Sequence, residues 1–392
     1  MERLILRGAQ LFDATGRPPQ AGLAVVIEDD RIADVLADGD VGHPASARVI
    51  DLAGCTLLPG LIDMHVHLGW GARVARDGDA AMALRAARNV RSARAAGITT
   101  IRDVGTANGI AIAVRDAVQR GDVPGSNVVP CGQIICMTGG HGSEPPAPPG
   151  MAREADGVED CRKAVREQVK AGADCIKVTT NGPLNVVEFT QEELDALVDE
   201  AHRCERRVAC HASILGSARM AIRAGVDTVE HGCDLDEDAA RQMADRGITM
   251  VPTLLVTKLI MDRWEEFKAI PMMRSIPVRA KRHVESFRIA MAAGVTMAAG
   301  TDMFFGLARF ESLAEELESM VGSGMTPTDA LIAATRNGAA ALGMRDRLGT
   351  VERGKTADLL AVEGDPTQDI AALRRVALIL SEGRPVGGGR LQ

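Results

Sequence analysis

Leu57-Leu58-Pro59-Gly60-Leu61-Ile62-Asp63-Met64-His65-Val66-His67 is the stretch on which the reading of this chain turns. A short apolar run bounded by Pro and Gly predicts a buried strand. Strand side chains alternate faces, so His65 and His67 share a face, with Asp63 one step earlier on it, and Val66 points the other way. Two imidazoles one pleat apart can hold one metal ion. They can equally be ordinary polar residues at a strand end, and the surrounding pattern has to decide.

Working outward, Asp79–Ala96 reads as a helix stopped by Gly97, and Ile98–Val104 as a strand. The alternation then continues. Strands are expected at 127–136, 173–179, 208–211, 228–231, 248–255 and 295–301, nearly all separated by helical segments. Pro130 sits awkwardly in the third of these, because proline cannot donate to a sheet ladder. Thr190-Gln191-Glu192-Glu193 offers a capping box for the helix over 190–206. Strands alternating with helices imply parallel pairing and right-handed crossovers. The periodicity permits an open doubly wound sheet, but eight units from Leu57 favour a TIM (β/α)8 barrel of α/β class.

The two ends of the chain have a different texture. Residues 1–56 read as short strands and turns, and strands return at 357–362 and 375–380. The expectation is a small β-sandwich built from 1–56 and 349–392, flanking a catalytic barrel over 57–348.

Composition narrows the function. Of 392 residues, 46% are hydrophobic and 25% charged, so a sizeable core can form. The net charge of −8, with dispersed basic residues, argues against nucleic acid as a partner. None of the eight cysteines forms a C-x-x-C pair and most lie in apolar runs, which predicts reduced core residues in a cytoplasmic protein. The N-terminal residues lack a signal-peptide core, no apolar run is long enough to span a membrane, and a homo-oligomer acting on a small molecule is expected. The chain has no Tyr and two Trp, so a substrate pocket must use Phe, Met, Leu and indoles, with Trp70 the substrate-contacting candidate.

Further candidates fall at matching places, near the C-terminal ends of expected strands: Lys177, His211, His231 and Asp302. That end carries the active site of a TIM barrel. Taken singly, such a His is commonly structural, and an Asp after Gly-Thr is commonly a helix cap. Lys177 could snorkel to the surface, but its neighbours are apolar, and a buried amine is costly unless paired or chemically altered. Six coincidences at corresponding strand ends favour one convergent site. Arg102-Asp103, ending the second strand, is read as an ion pair supporting loops. His43, His202 and His283 are read as structural residues in loops or on helix surfaces.

These residues, with Pro59–His67, Ile176-Lys177-Val178, Cys210-His211-Ala212, Glu230-His231-Gly232, Gly300-Thr301-Asp302 and the tail Gly349–Leu359, resemble the amidohydrolase superfamily of metal-dependent hydrolases across nearly the whole chain. The resemblance implies two divalent metal ions, zinc being the expected choice. His65 and His67 would hold the more buried ion, His211 and His231 the other. Lys177 would take up carbon dioxide as a carbamate bridging both. Asp302 would bind the first ion and shuttle protons. The implied reaction is hydrolysis of an amide in a dipeptide or N-acyl amino acid. The same chemistry on a lactone, cyclic imide, carbamate or organophosphate is the alternative, and a non-catalytic scaffold a remote one.

Thr138-Gly139-Gly140-His141-Gly142 is similar to a segment lining the substrate site in the branch containing imidazolonepropionases and Xaa-Pro dipeptidases. There His141 would bind a substrate carbonyl or carboxylate, and the proline-rich 143–150 would form a lid. One departure stands out. That branch often carries a Tyr shortly after the position of His211, whereas this chain reads His211-Ala212-Ser213.

Overall fold

The computed structural model describes residues 3–41, 47–71, 77–182, 186–270, 273–303 and 309–389. The key stretch is two strands, not one. Cys55–Pro59 pairs antiparallel with Leu359–Glu363, while Leu61–Val66 pairs parallel with Ile98–Asp103. Gly60 lies between them, against the Thr99 side chain, where a Cβ would collide with it. A continuous apolar run conceals such a division, because both strands are fully buried.

Cys55–Pro59 thereby joins a five-stranded sheet in the order Arg384–Gly387, Val376–Ser381, Leu359–Glu363, Cys55–Pro59, Gln10–Leu11. A four-stranded sheet in the order Arg31–Ala37, Leu23–Glu28, Arg3–Arg7, Arg48–Asp51 comes entirely from the beginning of the chain. The two share one apolar cluster that includes Leu6, Ile27, Leu57, Leu359 and Leu380.

Two parallel sheets carry the remainder. One orders Leu61–Val66, Ile98–Asp103 and Asn127–Pro130. The other orders Ala152–Glu154, Ile134–Cys136, Cys175–Thr179, Arg207–Ala212, Thr228–His231 and Thr249–Val251. Helices connect most successive strands, and their apolar faces merge into one large core. The helix Gln191–Arg203 starts at Thr190, whose hydroxyl and the Glu193 carboxylate form the expected capping box.

Three expected strands come out differently, and the one expected over 248–255 is only Thr249–Val251, giving way to the helix Leu254–Asp262. The third ends at Pro130 and resumes at Ile134 after Gly132 turns the chain with φ +74°. Pro130 keeps an accepting role, its carbonyl receiving Asp174 N–H at 2.8 Å. The eighth, near 295–303, has no regular ladder and is stitched in by single bonds. Ala298 N–H donates to Met250 O, Met64 N–H to Ala299 O and Asp302 N–H to His65 O, at 2.7–2.9 Å. Asp63 reinforces this seam: its carboxylate accepts from Thr301 Oγ1 at 2.6 Å and from Thr301 N–H at 3.1 Å. It is therefore turned to Thr301 rather than to the histidines, and burial pushes its carboxyl up to about 7.

No helix among the described residues is long and apolar enough to cross a membrane. The cysteines are free thiols, seven of them buried.

Candidate functional site

Strand register brings the candidates together. Thr179 pairs with His211 and Ala212 with His231, so these positions ride the same ends of neighbouring strands. Leu61–Val66 delivers His65 and, just beyond its end, His67. All eight residues singled out in the sequence, His65, His67, Trp70, His141, Lys177, His211, His231 and Asp302, line one cavity.

Within it, His65, His67 and Asp302 are close enough to share a single ion. His65 Nε2 lies 3.6 Å and His67 Nε2 3.5 Å from Asp302 Oδ1. The opposite edge of each ring is engaged. His65 Nδ1 is 2.6 Å from Glu230 Oε2, and His67 Nδ1 is 2.8 Å from Gly105 O. A carbonyl oxygen and an ionised carboxylate only accept, so Nδ1 donates in both rings, and Nε2 is the ring nitrogen that faces Asp302. Burial pushes the His65 imidazole down to about 4, so it is neutral at pH 7 as a metal ligand must be. Two imidazoles and a carboxylate, with the outer edges of both rings fixed, form a donor set that fits a divalent cation.

Glu230 ties this arrangement to the fold. Its Oε1 accepts from Arg102 Nη2 at 2.7 Å and from the Thr228 hydroxyl. Arg102 also donates through Nε to Met64 O at 2.7 Å and through Nη1 to Thr228 Oγ1 at 3.0 Å. Burial alone would raise the Glu230 carboxyl, but Arg102 and His65 hold it well below the usual carboxylate range. Asp302 is likewise held low, with His65, His67 and His231 outweighing burial.

The other histidines have hydroxyl partners. His231 Nδ1 is 2.7 Å from Thr253 Oγ1, and His211 Nε2 is 3.0 Å from Ser213 Oγ. Their rings are 4.5 Å apart between centroids, and the His231 ring lies 5.0 Å from that of His65, tilted by 52°. Burial pushes both imidazoles well below the usual histidine range. Lys177 is 2% exposed, and burial lowers its amine against the pull of Glu230 and Asp302.

The backbone is strained here. His231, Thr253 and Asp302 have φ of +68°, +52° and +50°, conformations rare for non-glycine residues and concentrated at functional sites.

Around the cluster, His141 Nδ1 is 2.7 Å from Glu144 Oε1, and its ring lies 4.5 Å from His211. Glu188 receives His141 N–H at 2.8 Å and Thr179 Oγ1 at 2.9 Å. Trp70 donates Nε1–H to Met151 Sδ at 3.1 Å, which fixes its indole in the wall. The proline-rich segment 143–150 is followed by the short strand Ala152–Glu154.

Sequence reasoning missed Glu230 as a partner of His65. A carboxylate within an apolar strand and adjacent to a histidine was the available signal. Arg102 does form an ion pair, but in the interior rather than among loops. His283 was expected at the surface. It is buried, with Nε2 2.7 Å from Pro252 O and 3.1 Å from His231 O, bracing the strained turn. His202 is exposed and 2.9 Å from Asp227, and His43 lies outside the described residues.

The model of the amidohydrolase family matches residues 56–386. Ochratoxinase of Aspergillus niger is 31% identical over 93% of this chain and 82% of its own. Imidazolonepropionase of Rhizorhabdus wittichii is 28% identical over 83% of this chain and 84% of its own. Among solved structures, a Xaa-Pro dipeptidase with bound methionine superposes with TM-score 0.89 at 31% identity, covering 99% of this chain and 100% of that one. A prolidase complexed with N-methylphosphonate-L-proline gives TM-score 0.91 at 30% identity, covering 98% and 100%.

Proposed function

The chain belongs to the amidohydrolase family, and from that premise we propose a binuclear metal-dependent hydrolase that cleaves the amide bond of a dipeptide or N-acyl amino acid. That it is a hydrolase acting on carbon–nitrogen bonds follows from the family and its named hydrolase relatives. The finer reading rests on one observation: His65 and His67 turn their Nε2 atoms on Asp302, with both Nδ1 atoms held by acceptor-only partners.

The strands are proposed to close as a (β/α)8 barrel over 57–348, the stitched segment near 295–303 joining the first strand to the seventh. The termini, 1–56 and 349–392, are proposed as a β-sandwich. Cys55–Pro59 straddles that boundary and hydrogen-bonds into the terminal sheet.

In this reading His65, His67 and Asp302 hold one cation, His211 and His231 a second, and the imidazole-rich set suits zinc. When bound, the two cations supply a Lewis acid for the carbonyl and lower the pKa of water toward neutrality. Lys177 is proposed to react as the free amine with carbon dioxide, forming an N–C bond and releasing a proton. The product is an anion in place of a buried cation, and burial favours the reactive neutral amine. Asp302, held ionised, takes the proton of the attacking water and delivers it to the leaving nitrogen. His141, oriented by Glu144, faces the substrate carbonyl, and Trp70 supplies an apolar wall.

The test is metal analysis of protein produced with zinc and bicarbonate, followed by a pooled library of dipeptides and N-acyl amino acids, with Lys177→Ala alongside. About two zinc ions per chain and turnover lost in the variant are expected. Absence of bound metal overturns the reading. Two bound ions with no turnover across the pool overturn its dipeptide and N-acyl part.

A further inference from the structure

The cavity wall changes character away from the histidines. Val256, Ile260, Met273 and Ile276 make an apolar face, and Arg279 stands at its border. Arg279 lies in the first turns of the helix Ile276–Ala292. Two loops fix its guanidinium: Nη1 donates to Ser213 Oγ at 3.2 Å and Nη2 to Gly182 O at 3.1 Å. Ser213 Oγ is itself 3.0 Å from His211 Nε2, so the guanidinium is one hydroxyl removed from the histidine cluster.

Burial is the largest influence on this guanidinium and works against its charge, with Glu144 and Glu188 acting the other way. Those two carboxylates are turned toward His141: Glu144 accepts from Gly142 N–H and meets His141 Nδ1, and Glu188 accepts from His141 N–H. The cavity thus places a planar, permanently charged fork beside the reaction centre, with an apolar surface behind it. A guanidinium is the side chain best matched to a carboxylate, through two parallel N–H···O bonds.

We propose that Arg279 binds the free carboxylate next to the scissile amide, so that the substrates are anionic N-acyl α-amino acids, dipeptides included, whose apolar side chain packs on Val256, Ile260, Met273 and Ile276. This rests on the amidase reading above and adds its specificity determinant. In an α-amino acid one carbon separates the carboxylate from the nitrogen released on hydrolysis, which suits a cation one hydroxyl from His211. Neutral amides lacking the carboxylate are then poor ligands.

The experiment compares N-benzoyl-L-leucine with N-benzoyl-L-leucinamide on the zinc-loaded enzyme. Binding is followed by tryptophan fluorescence, since Trp70 lines the cavity, and hydrolysis by benzoate release. The wild type is expected to bind the acid about 100-fold more tightly than the amide. Arg279→Met is expected to bring the two within about 3-fold with unchanged zinc content and circular dichroism, and Arg279→Lys, a point charge without the fork, to fall between. Equal binding of acid and amide by the wild type, or a preference surviving in Arg279→Met, overturns the proposal. Should Arg279→Met not fold, Arg279→Lys and the wild-type ratio decide it. The two readings separate cleanly. Benzoate release without acid preference removes the carboxylate subsite and leaves the amidase. Acid preference without release leaves the subsite and removes the amidase reading for this class.

Discussion

The two histidine pairs sit in one cavity but are held by different chemistry. His65 and His67 lean on oxygens that can only accept, the Glu230 carboxylate and the Gly105 carbonyl. His211 and His231 lean on the hydroxyls of Ser213 and Thr253, which can donate or accept. The first pair therefore has its Nδ1 protons fixed, and a buried ion pair stands behind His65. The second can exchange proton positions without losing a hydrogen bond. The first half is built to be rigid, the second to tolerate changes in what it faces. Asp302 spans the two, 3.5–3.6 Å from His65 and His67 and 3.9 Å from His231.

Removing the spanning residue tests both halves at once and carries the largest effect. Asp302→Asn is expected to lower kcat/KM by about 10³-fold with the fold retained by circular dichroism, because it deletes a proton acceptor held in place. A near-normal rate would remove Asp302 from proton transfer.

The contrast between the halves is sharpened by their supports. Glu230→Gln replaces an acceptor-only group with one that also donates, and is expected to weaken binding of a divalent metal at His65 and His67 by about 10- to 100-fold. Thr253→Val, which removes one neutral partner of His231, is expected to cost less than about 10-fold. Competition with a chromogenic chelator measures both. Equal losses would erase the distinction drawn between the two pairs.

The smallest effect lies outside the cavity. Asp358, 5% exposed, accepts from Glu382 N–H at 2.7 Å, and burial pushes its carboxyl up to about 6 from 3.8. A raised folded pKa contributes stability that is complete below about pH 4 and is lost as pH rises through 6. Asp358→Asn keeps an accepting oxygen and removes the titration. It is expected to be more stable than the wild type at pH 8 by about 1–2 kcal/mol, with the advantage vanishing near pH 4. Melting temperature against pH gives the answer, and metal affinity should not move.

Much of this was legible because register is periodic. Lys177, His211, His231 and Asp302 recur at the same ends of successive units, and that recurrence is visible in one dimension. Long-range pairing is not. Arg102 meets Glu230 across 128 positions, and no local pattern links them. The inward face of Ile276–Ala292 was equally hidden, since which helix face is buried depends on what packs against it. His283 braces the His231 turn from that face, and Arg279 enters the cavity from the same helix. The division at Gly60 escaped notice because both sides of it are apolar.

That division has a consequence in time. Cys55–Pro59 leaves the ribosome long before its antiparallel partner Leu359–Glu363, because the whole run that carries the site lies between them. At a synthesis rate of roughly 5–20 residues per second, the early strand waits tens of seconds for its neighbour. During that interval its backbone donors and acceptors on that side are unsatisfied, one glycine away from the strand carrying His65. Birth order thus leaves the strand next to His65 to be locked by a segment made after the rest of the site, and a chain stalled before Leu359 would present a bare apolar edge to the cell.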